Sequence, residues 1–275
     1  MPEGDSAYRA AKNLHRSLTG RSVNRFELRV PKLATASLLG EEIRGVDARG
    51  KHVLLRIGEY TVQSHFGMDG SWRIVPPASA ARAAGRRPRR GPTIAWPAAH
   101  RIRAIIGTDA AIALGIDLAK LDMWPTADEE EHLGWLGPDL LAETPDLAEA
   151  IRRIQQQPDR EITAALLDQR NLAGLGNEYV TEMCFLLGVL PSRTVRECGD
   201  IAEWVRLGRR LLLANRDRVD RTFTGDLRRP TYVFGRAGQP CRRCGTIILE
   251  GKHASGSKQP GATVRNAAWC PNCQC

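Results

Sequence analysis

Long apolar stretches are missing from this chain of 275 residues. No uncharged apolar run approaches the roughly 18 residues that a membrane-spanning helix needs. The first 16 residues, MPEGDSAYRAAKNLHR, are charged from the third onward and do not resemble a secretory signal. The hydrophobic fraction of 42% is ordinary for a globular chain with a buried core. These features argue against a membrane protein, a secreted miniprotein and a disordered chain.

Lysine is scarce, although the chain is basic. Only six of the 40 basic residues are lysines, and the formal net charge is +9. The planar guanidinium of arginine favours forked contacts to phosphate. Residues 117–149 hold ten acids and one base, residues 191–275 hold 16 bases and seven acids, and residues 78–103 hold seven arginines and no acid. We interpret the basic segments as contacts to a polyanion, foremost nucleic acid. The alternative is a genome that favours arginine throughout.

Internal repeats are missing too, and the hydrophobic pattern changes once along the chain. Residues 5–19 have apolar residues at helical spacing, with Asp5 as N-cap and Gly20 as the stop. Short strand-like segments follow, separated by Gly, Pro and Asp as in an antiparallel sandwich or barrel. They are residues 22–30, 41–49, 52–57, 60–66, 71–75, 101–108 and 110–116. Residues 76–92, rich in Pro, Gly and Arg, are expected to form a mobile surface loop.

From about residue 126 the pattern becomes helical. Amphipathic segments cover residues 146–156, 160–169, 178–188 and 200–217. The second and third are joined by NLAGLGN (171–177), a tight turn with two glycines. A helix–turn–helix arrangement with a glycine turn is a common DNA-binding device. It is equally a common way to pack two helices.

Four of the seven cysteines form two CxxC pairs separated by 25 residues. The pairs are Cys241 with Cys244, and Cys270 with Cys273. Four thiolates at this spacing are typical of one tetrahedral, structural zinc ion, and the polar segment 252–261 reads as an extruded loop. A redox pair or disulfides are the alternatives. Cys275 is close enough in sequence to compete as a ligand.

The N-terminus offers a second candidate site. Removal of Met1 is expected because Pro2 is small, and it leaves a secondary amine at Pro2. Such an amine condenses with a carbonyl-level carbon to an iminium, a permanent cation that promotes elimination at the adjacent carbon. The carboxyl group of Glu3 is placed to transfer protons beside it. The alternative is that both residues merely precede a helix.

Several motifs along the chain carry a family resemblance. They are MPEGD at 1–5, RGKH at 49–52, SHFGMDGSWR at 64–73, LGPDLL at 136–141, LLDQRNLAGLGNEYVTE at 166–182 and the ending CRRCG…WCPNCQ. In these motifs and their order the chain resembles the formamidopyrimidine-DNA glycosylase/endonuclease VIII family, and specifically its endonuclease VIII-like branch. The resemblance spans nearly the whole chain.

The resemblance implies roles for five residues. Pro2 matches the nucleophile that displaces the damaged base and forms a Schiff base with the deoxyribose, and Glu3 matches the acid that assists opening of the sugar. Lys51 matches a strand lysine that contacts phosphate and serves the lyase chemistry; without the resemblance it reads as an exposed strand lysine. Asn177 matches a phosphate-binding asparagine, and its alternative reading is a helix N-cap. Arg265 matches the ribbon arginine that grips phosphates and is associated with the second elimination.

Met68 matches the position that fills the gap left by an extruded base, for which an apolar wedge is suited; the alternative is a core methionine.

Three departures from the family pattern concern the substrate. Residues 115–123 lack the Arg and Phe with which the purine-lesion branch fills the gap, Ser6 replaces a frequent glutamate, and Gly67 replaces a glutamine. These departures argue against a dedicated 8-oxoguanine enzyme.

The resemblance also implies an architecture and a function. The expected fold is α+β, with an N-terminal helix and antiparallel β-sandwich (1–120), a helical helix–two-turn–helix domain (121–230) and a zinc ribbon (231–275). We expect a cytoplasmic, monomeric base-excision-repair enzyme that holds double- or single-stranded DNA in a basic cleft between its domains. Its expected activities are DNA glycosylase and AP lyase, on oxidised pyrimidines, with β- and δ-elimination. The same chemistry on oxidised purines, or a non-catalytic binder of damaged DNA, are the alternatives.

Overall fold

The computed structural model describes residues 2–77, 97–253 and 265–275. The predicted mobile loop (76–92) lies outside the described residues except for its first two positions. Most of the predicted ribbon loop (252–261) lies outside them as well.

The described residues form α-helices, β-strands and short 3₁₀ turns. The helices are α1 Gly4–Leu18, α2 Glu129–Leu133, α3 Leu147–Gln155, α4 Ile162–Leu167, α5 Asn177–Leu187 and α6 Ile201–Asn215. The strands are β1 Arg25–Leu28, β2 Ile43–Arg49, β3 His52–Ile57, β4 Tyr60–His65, β5 Ser71–Val75, β6 Ile102–Gly107, β7 Ile112–Ile116, β8 Lys120–Pro125, β9 Leu249–His253 and β10 Arg265–Trp269. The 3₁₀ turns are Pro31–Leu33, Ala99–Arg101, Thr126–Asp128 and Val195–Glu197.

The first compact unit contains two four-stranded antiparallel sheets. Their strand orders are β1-β6-β7-β5 and β2-β3-β4-β8. One apolar core joins α1 to both sheets, with Leu14, Leu55 and Ile106 fully buried. The predicted N-terminal helix and paired antiparallel sheets are confirmed.

Helix α1 follows from its apolar spacing. Ala7, Ala11, Leu14 and Leu18 lie on one face and are buried in the core. The helix begins at Gly4, so Asp5 is already a helical residue and not the predicted N-cap.

The second compact unit comprises residues 135–275 together with Glu3–Asp5, and residues 6–134 belong to the first unit. Helix α4 is shorter than predicted because Asp168 leaves helical geometry, with ψ at 106°, and its carboxylate accepts a hydrogen bond from the Arg170 N–H at 3.0 Å. Strand β8 was not anticipated, and it pairs with β4 inside the first unit. The division into three domains stays a prediction.

Within the described ranges, no helix has the length and apolar character required to cross a membrane.

Candidate active site and metal centre

The turn between α4 and α5 is held by two amide side chains. Gln169 donates to the carbonyls of Leu167 and Leu175 at 2.9 and 3.0 Å and accepts from the Gly174 N–H at 3.1 Å. Asn171 donates to the carbonyl of Ala165 at 2.9 Å. These bonds satisfy backbone groups that the turn leaves without helical partners, and they fix where α5 begins.

Glu3 lies at the N-terminus of α5. Its side chain is buried, and Oε1 accepts a hydrogen bond from the Glu178 N–H at 2.9 Å. The next residue, Gly4, donates its N–H to the carbonyl of Gly174 at 2.9 Å. Gly176 is the N-cap of α5 and has no side chain, so the carboxylate of Glu3 acts as the cap from a distant part of the sequence. The hydrogen bond to the helix N-terminus fixes the orientation of that carboxylate.

A buried ion network adjoins this contact. Arg221 donates to both carboxylate oxygens of Asp5 at 3.0 and 2.7 Å and to Glu178 at 2.6 Å. Tyr179 donates its hydroxyl to Asp5 at 2.9 Å. Burial lowers the pKa of the Arg221 guanidinium, but the carboxylates of Asp5, Glu3 and Glu178 outweigh it, and the net pKa is raised. Arg221 stays charged.

The sequence did not reveal this network. The sequence pattern predicts a helix cap at Asp5, and Arg221 is one of many arginines in a basic segment. The two residues lie 216 positions apart, and only the folded backbone brings them together.

Asn177 is the first residue of α5 and is buried. Its amide donates to the carbonyl of Asn266 in β10 at 2.9 Å. Arg265, the preceding residue, begins β10 and pairs with His253 of β9. The alternative reading of Asn177 as an N-cap is excluded, because Gly176 occupies that position.

Lys51 lies in the two-residue turn Gly50–Lys51 between β2 and β3, so it is not within a strand as expected. Two histidines, His52 and His65, lie next to it, with ring centroids 5.1 Å apart and ring planes inclined at 58°. Burial lowers the pKa of His52 to about 3 and that of His65 to about 4, and the positive charge of Lys51 adds to both effects. Both imidazoles are therefore neutral at pH 7.

Met68 lies at the tip of the loop between β4 and β5. Its side chain is 62% exposed, so the alternative of a core methionine is excluded. The loop is fixed by two hydrogen bonds: the Gly67 N–H donates to His65 Nδ1 and the Gly70 N–H donates to the Phe66 carbonyl, both at 3.0 Å. Lys51 and Met68 belong to the first unit, whereas Glu3 and Asn177 belong to the second.

The four CxxC cysteines converge in the second unit. The sulfur atoms of Cys241, Cys244, Cys270 and Cys273 all lie within 4.8 Å of one another. The Cys241–Cys273 and Cys244–Cys270 sulfur pairs are 3.9 and 3.4 Å apart. Thiolates on a tetrahedral zinc ion, with Zn–S about 2.3 Å, lie about 3.8 Å apart. The group therefore fits a metal ion of this kind, and the separations are too long for disulfide bonds.

Among the described residues, Cys275 is not a member of this four-cysteine group. Its thiol is exposed and lies 3.8 Å from the carbonyl of Gly188.

Sequence reasoning also missed Glu182 of α5. Its buried carboxylate accepts hydrogen bonds from the N–H groups of Tyr232, Val233 and Phe234, each at 2.8 Å, and so anchors the chain that enters the ribbon.

Two family models match this chain, one in its N-terminal part and one in its helical part. Residues 1–104 match the model of the formamidopyrimidine-DNA glycosylase N-terminal domain. Residues 136–201 match the model of the formamidopyrimidine-DNA glycosylase H2TH domain. Together the two models cover more than half of the chain.

Relatives match along the full length. A probable endonuclease 8 2 of Streptomyces coelicolor is 44% identical over 277 residues, covering 100% of this chain and 94% of the relative. The DNA-(apurinic or apyrimidinic site) lyase Nei2 of Mycolicibacterium smegmatis is 38% identical over 276 residues, covering 100% and 99%. The fold is similar to that of Lactococcus lactis Fpg bound to an oxidised pyrimidine-containing DNA, with a TM-score of 0.76 at 21% identity and 99% of each chain covered.

Fold and matches together define a DNA repair enzyme of the DNA glycosylase and AP lyase class. The chain belongs to the formamidopyrimidine-DNA glycosylase/endonuclease VIII family. The predicted family, fold class and enzyme class are confirmed, with DNA as the partner.

Proposed function

We propose that this enzyme excises oxidised pyrimidines from DNA and then cleaves the abasic site, with Pro2 as the nucleophile. The observation that carries the proposal is the position of Glu3. Its carboxylate is fixed on the Glu178 N–H, one residue after a partly exposed Pro2. This bond supports the role of Glu3 as the group that transfers protons in the reaction of the Pro2 amine.

The chemistry starts from the secondary amine of Pro2, which is exposed once Met1 is removed. Its lone pair attacks the sugar C1′, and the damaged base leaves with the electron pair of the glycosidic bond and a proton. Ring opening transfers the C1′–O4′ electrons to O4′, which takes a proton through Glu3, and leaves an iminium.

The iminium then drives two eliminations. Loss of a C2′ proton expels the 3′ phosphate, and loss of a C4′ proton expels the 5′ phosphate from C5′. Hydrolysis of the remaining iminium frees the enzyme and leaves a one-nucleotide gap with phosphates at both ends.

Phosphate binding is assigned to Lys51, Asn177 and Arg265. The Asn177 bond to the Asn266 carbonyl supports a shared site for Asn177 and Arg265, because Arg265 is the neighbour of Asn266. One zinc ion held by the four cysteines would supply no chemistry to the substrate; closed by four thiolates, it would shape the ribbon that carries Arg265.

The choice of oxidised pyrimidines is supported by residues 115–123, which lack an arginine and phenylalanine for the gap opposite a purine lesion. The relatives with 38–44% identity are named endonuclease 8 or AP lyase. Purine lesions are the second candidate, favoured by a 29% identical formamidopyrimidine-DNA glycosylase of Alkalilimnicola ehrlichii. Oligonucleotides with one oxidised pyrimidine, one 8-oxoguanine or one formamidopyrimidine separate the two by their single-turnover rates.

Sodium borohydride trapping tests the nucleophile. Untagged wild-type protein should form a covalent adduct with an oligonucleotide that contains one abasic site, and Pro2→Thr should form none. Binding of the same DNA by both proteins is the control. A wild-type protein that has lost Met1 and binds this DNA without forming an adduct would support the non-catalytic alternative. We further propose that the active form is a monomer, which sedimentation in the presence of DNA tests.

Arg265→Ala should weaken δ-elimination and DNA binding while some β-elimination remains. Arg265→Lys keeps the charge without the fork and should recover binding more than δ-elimination. A product ratio and Kd equal to those of wild type in Arg265→Ala would remove Arg265 from the proposed mechanism.

A further inference from the structure

Arg221 binds the chain on both sides of the Glu3 contact. Its guanidinium takes both oxygens of Asp5, two residues after Glu3, and also reaches the carboxylate of Glu178. The N–H of the same Glu178 holds Glu3. The side chain of Arg221 is 13% exposed and those of Asp5 and Glu178 are 2% and 12% exposed, so water screens these contacts little.

These contacts form a closed ring. It runs from Glu3 through Gly4 to Asp5, across Arg221 to Glu178, and back through the Glu178 N–H to Glu3. A forked guanidinium contact fixes angle as well as distance. The Arg221 guanidinium therefore contacts both the backbone segment that carries Glu3 and the N-terminal end of α5, to which Glu3 binds.

The charges in the ring are unequal. Asp5, Glu3, Glu178 and Tyr179 each raise the pKa of Arg221 electrostatically. Three of the four are carboxyl groups, and the Tyr179 hydroxyl, whose pKa is raised chiefly by burial and then by Asp5, is neutral. Arg221 therefore supplies the positive charge that allows several acids to lie together under little solvent.

We propose that Arg221 is a positioning residue for the reaction: through Asp5 and Glu178 it holds Glu3, and with it the Pro2 amine, in the orientation that the excision chemistry requires. This inference rests on the proposed function. In this proposal Arg221 does not touch the substrate and acts through its contacts with Asp5 and Glu178.

Arg221→Met tests the proposal by separating rate from binding. The single-turnover rate of adduct formation on abasic DNA should fall by about a hundredfold, the loss expected when a reacting group is misplaced by about 1 Å. The Kd for the same DNA should stay close to wild type. Arg221→Lys keeps the charge but loses the fork, so it should recover only part of the rate.

The pH profile adds a readout that a purely structural role would not move. Removing the positive charge favours the protonated amine of Pro2, so Arg221→Met should move the rising limb of adduct formation to higher pH. Asp5→Asn removes a negative charge and should move the same limb to lower pH. Both variants should form the adduct more slowly than wild type, but their pH profiles should shift in opposite directions.

Arg209→Met is the matched control. Arg209 lies in the same unit and donates to the carbonyls of Leu140 and Ala142 at 2.9 and 3.0 Å, so its loss removes partly buried hydrogen bonds far in sequence from the N-terminal segment. This variant should lower Tm and leave the adduct rate and pH profile unchanged.

The outcomes distinguish this inference from the proposed function. If wild-type protein forms no adduct, the proposed function fails first. If wild type reacts and a folded Arg221→Met reacts at the same rate with the same pH profile, Arg221 has no positioning role. If Arg221→Met is unfolded at the assay temperature, Arg221→Lys and Asp5→Asn decide, and wild-type rates and profiles in both overturn the proposal.

Discussion

A side chain at Gly176 would collide with Glu3. An ideally placed Cβ at Gly176 lies 2.4 Å from the carboxyl carbon of Glu3. The backbone there is extended, with φ −131° and ψ −168°, a conformation open to any residue. Glycine is therefore required by the room that Glu3 occupies and not by backbone flexibility.

Gly176→Ala should disturb Glu3 specifically. Overpacking at this buried site should cost about 1–3 kcal/mol of the free energy of unfolding, and the adduct rate should fall because Glu3 is displaced from the Glu178 N–H. Urea unfolding of a double-mutant cycle with Glu3→Ala checks the cause. With the Glu3 carboxyl absent, the alanine should cost little, and an undiminished cost in the Glu3→Ala background would place the collision elsewhere.

Residue spacing along the chain predicted the features that depend on neighbouring residues, such as strands and the cysteine group. Strand β5 has the predicted bounds, 71–75, and the four cysteines converge as their spacing indicated. Strand β8 was missed because KLDMWP lacks clear alternation and contains Asp122 and Pro125. The Asp5–Arg221 pair could not be predicted, because no periodicity or motif connects residues 216 positions apart. Such pairings are set by tertiary packing, which decides where a buried charge finds its partner.

Removal of the metal should loosen the ribbon and leave the N-terminal chemistry intact. Cys244→Ser removes one of the four thiolates, so the bound zinc should fall from one ion per chain and the Kd for DNA should rise. At saturating abasic DNA the borohydride adduct should still form. Cys275→Ser is the control and should keep its zinc, because Cys275 lies outside the four-cysteine group. Equal zinc content in both variants would contradict the ligand assignment.

Two histidines with lowered pKa values, His52 and His65, should make stability depend on pH. The folded pKa of His65, about 4, lies below the unfolded value near 6.5. The unfolded chain therefore binds more protons between these values, and the stabilisation is complete above pH 6.5 and is lost as the pH falls toward 4.

His65→Asn keeps an acceptor for the Gly67 N–H without the titration. Urea unfolding at pH 7 and pH 5 should therefore give a smaller loss of stability for this variant than for wild type. His100→Asn, at an exposed position, should retain the wild-type slope. A slope unchanged in His65→Asn would mean that His65 is not the group responsible.

Met68 should matter for duplex DNA and not for folding. Its exposed side chain contributes no core packing, so Met68→Ala should leave Tm near wild type. If the side chain fills the gap behind an extruded base, a few kcal/mol of lost stacking are no longer offset, and excision from a duplex should slow by about tenfold or more. Excision from single strands, where no stack has to be opened, should change much less. Leu39→Ala removes another exposed apolar side chain of the same unit and should affect neither substrate; equal slowing of Met68→Ala on both substrates would exclude the wedge.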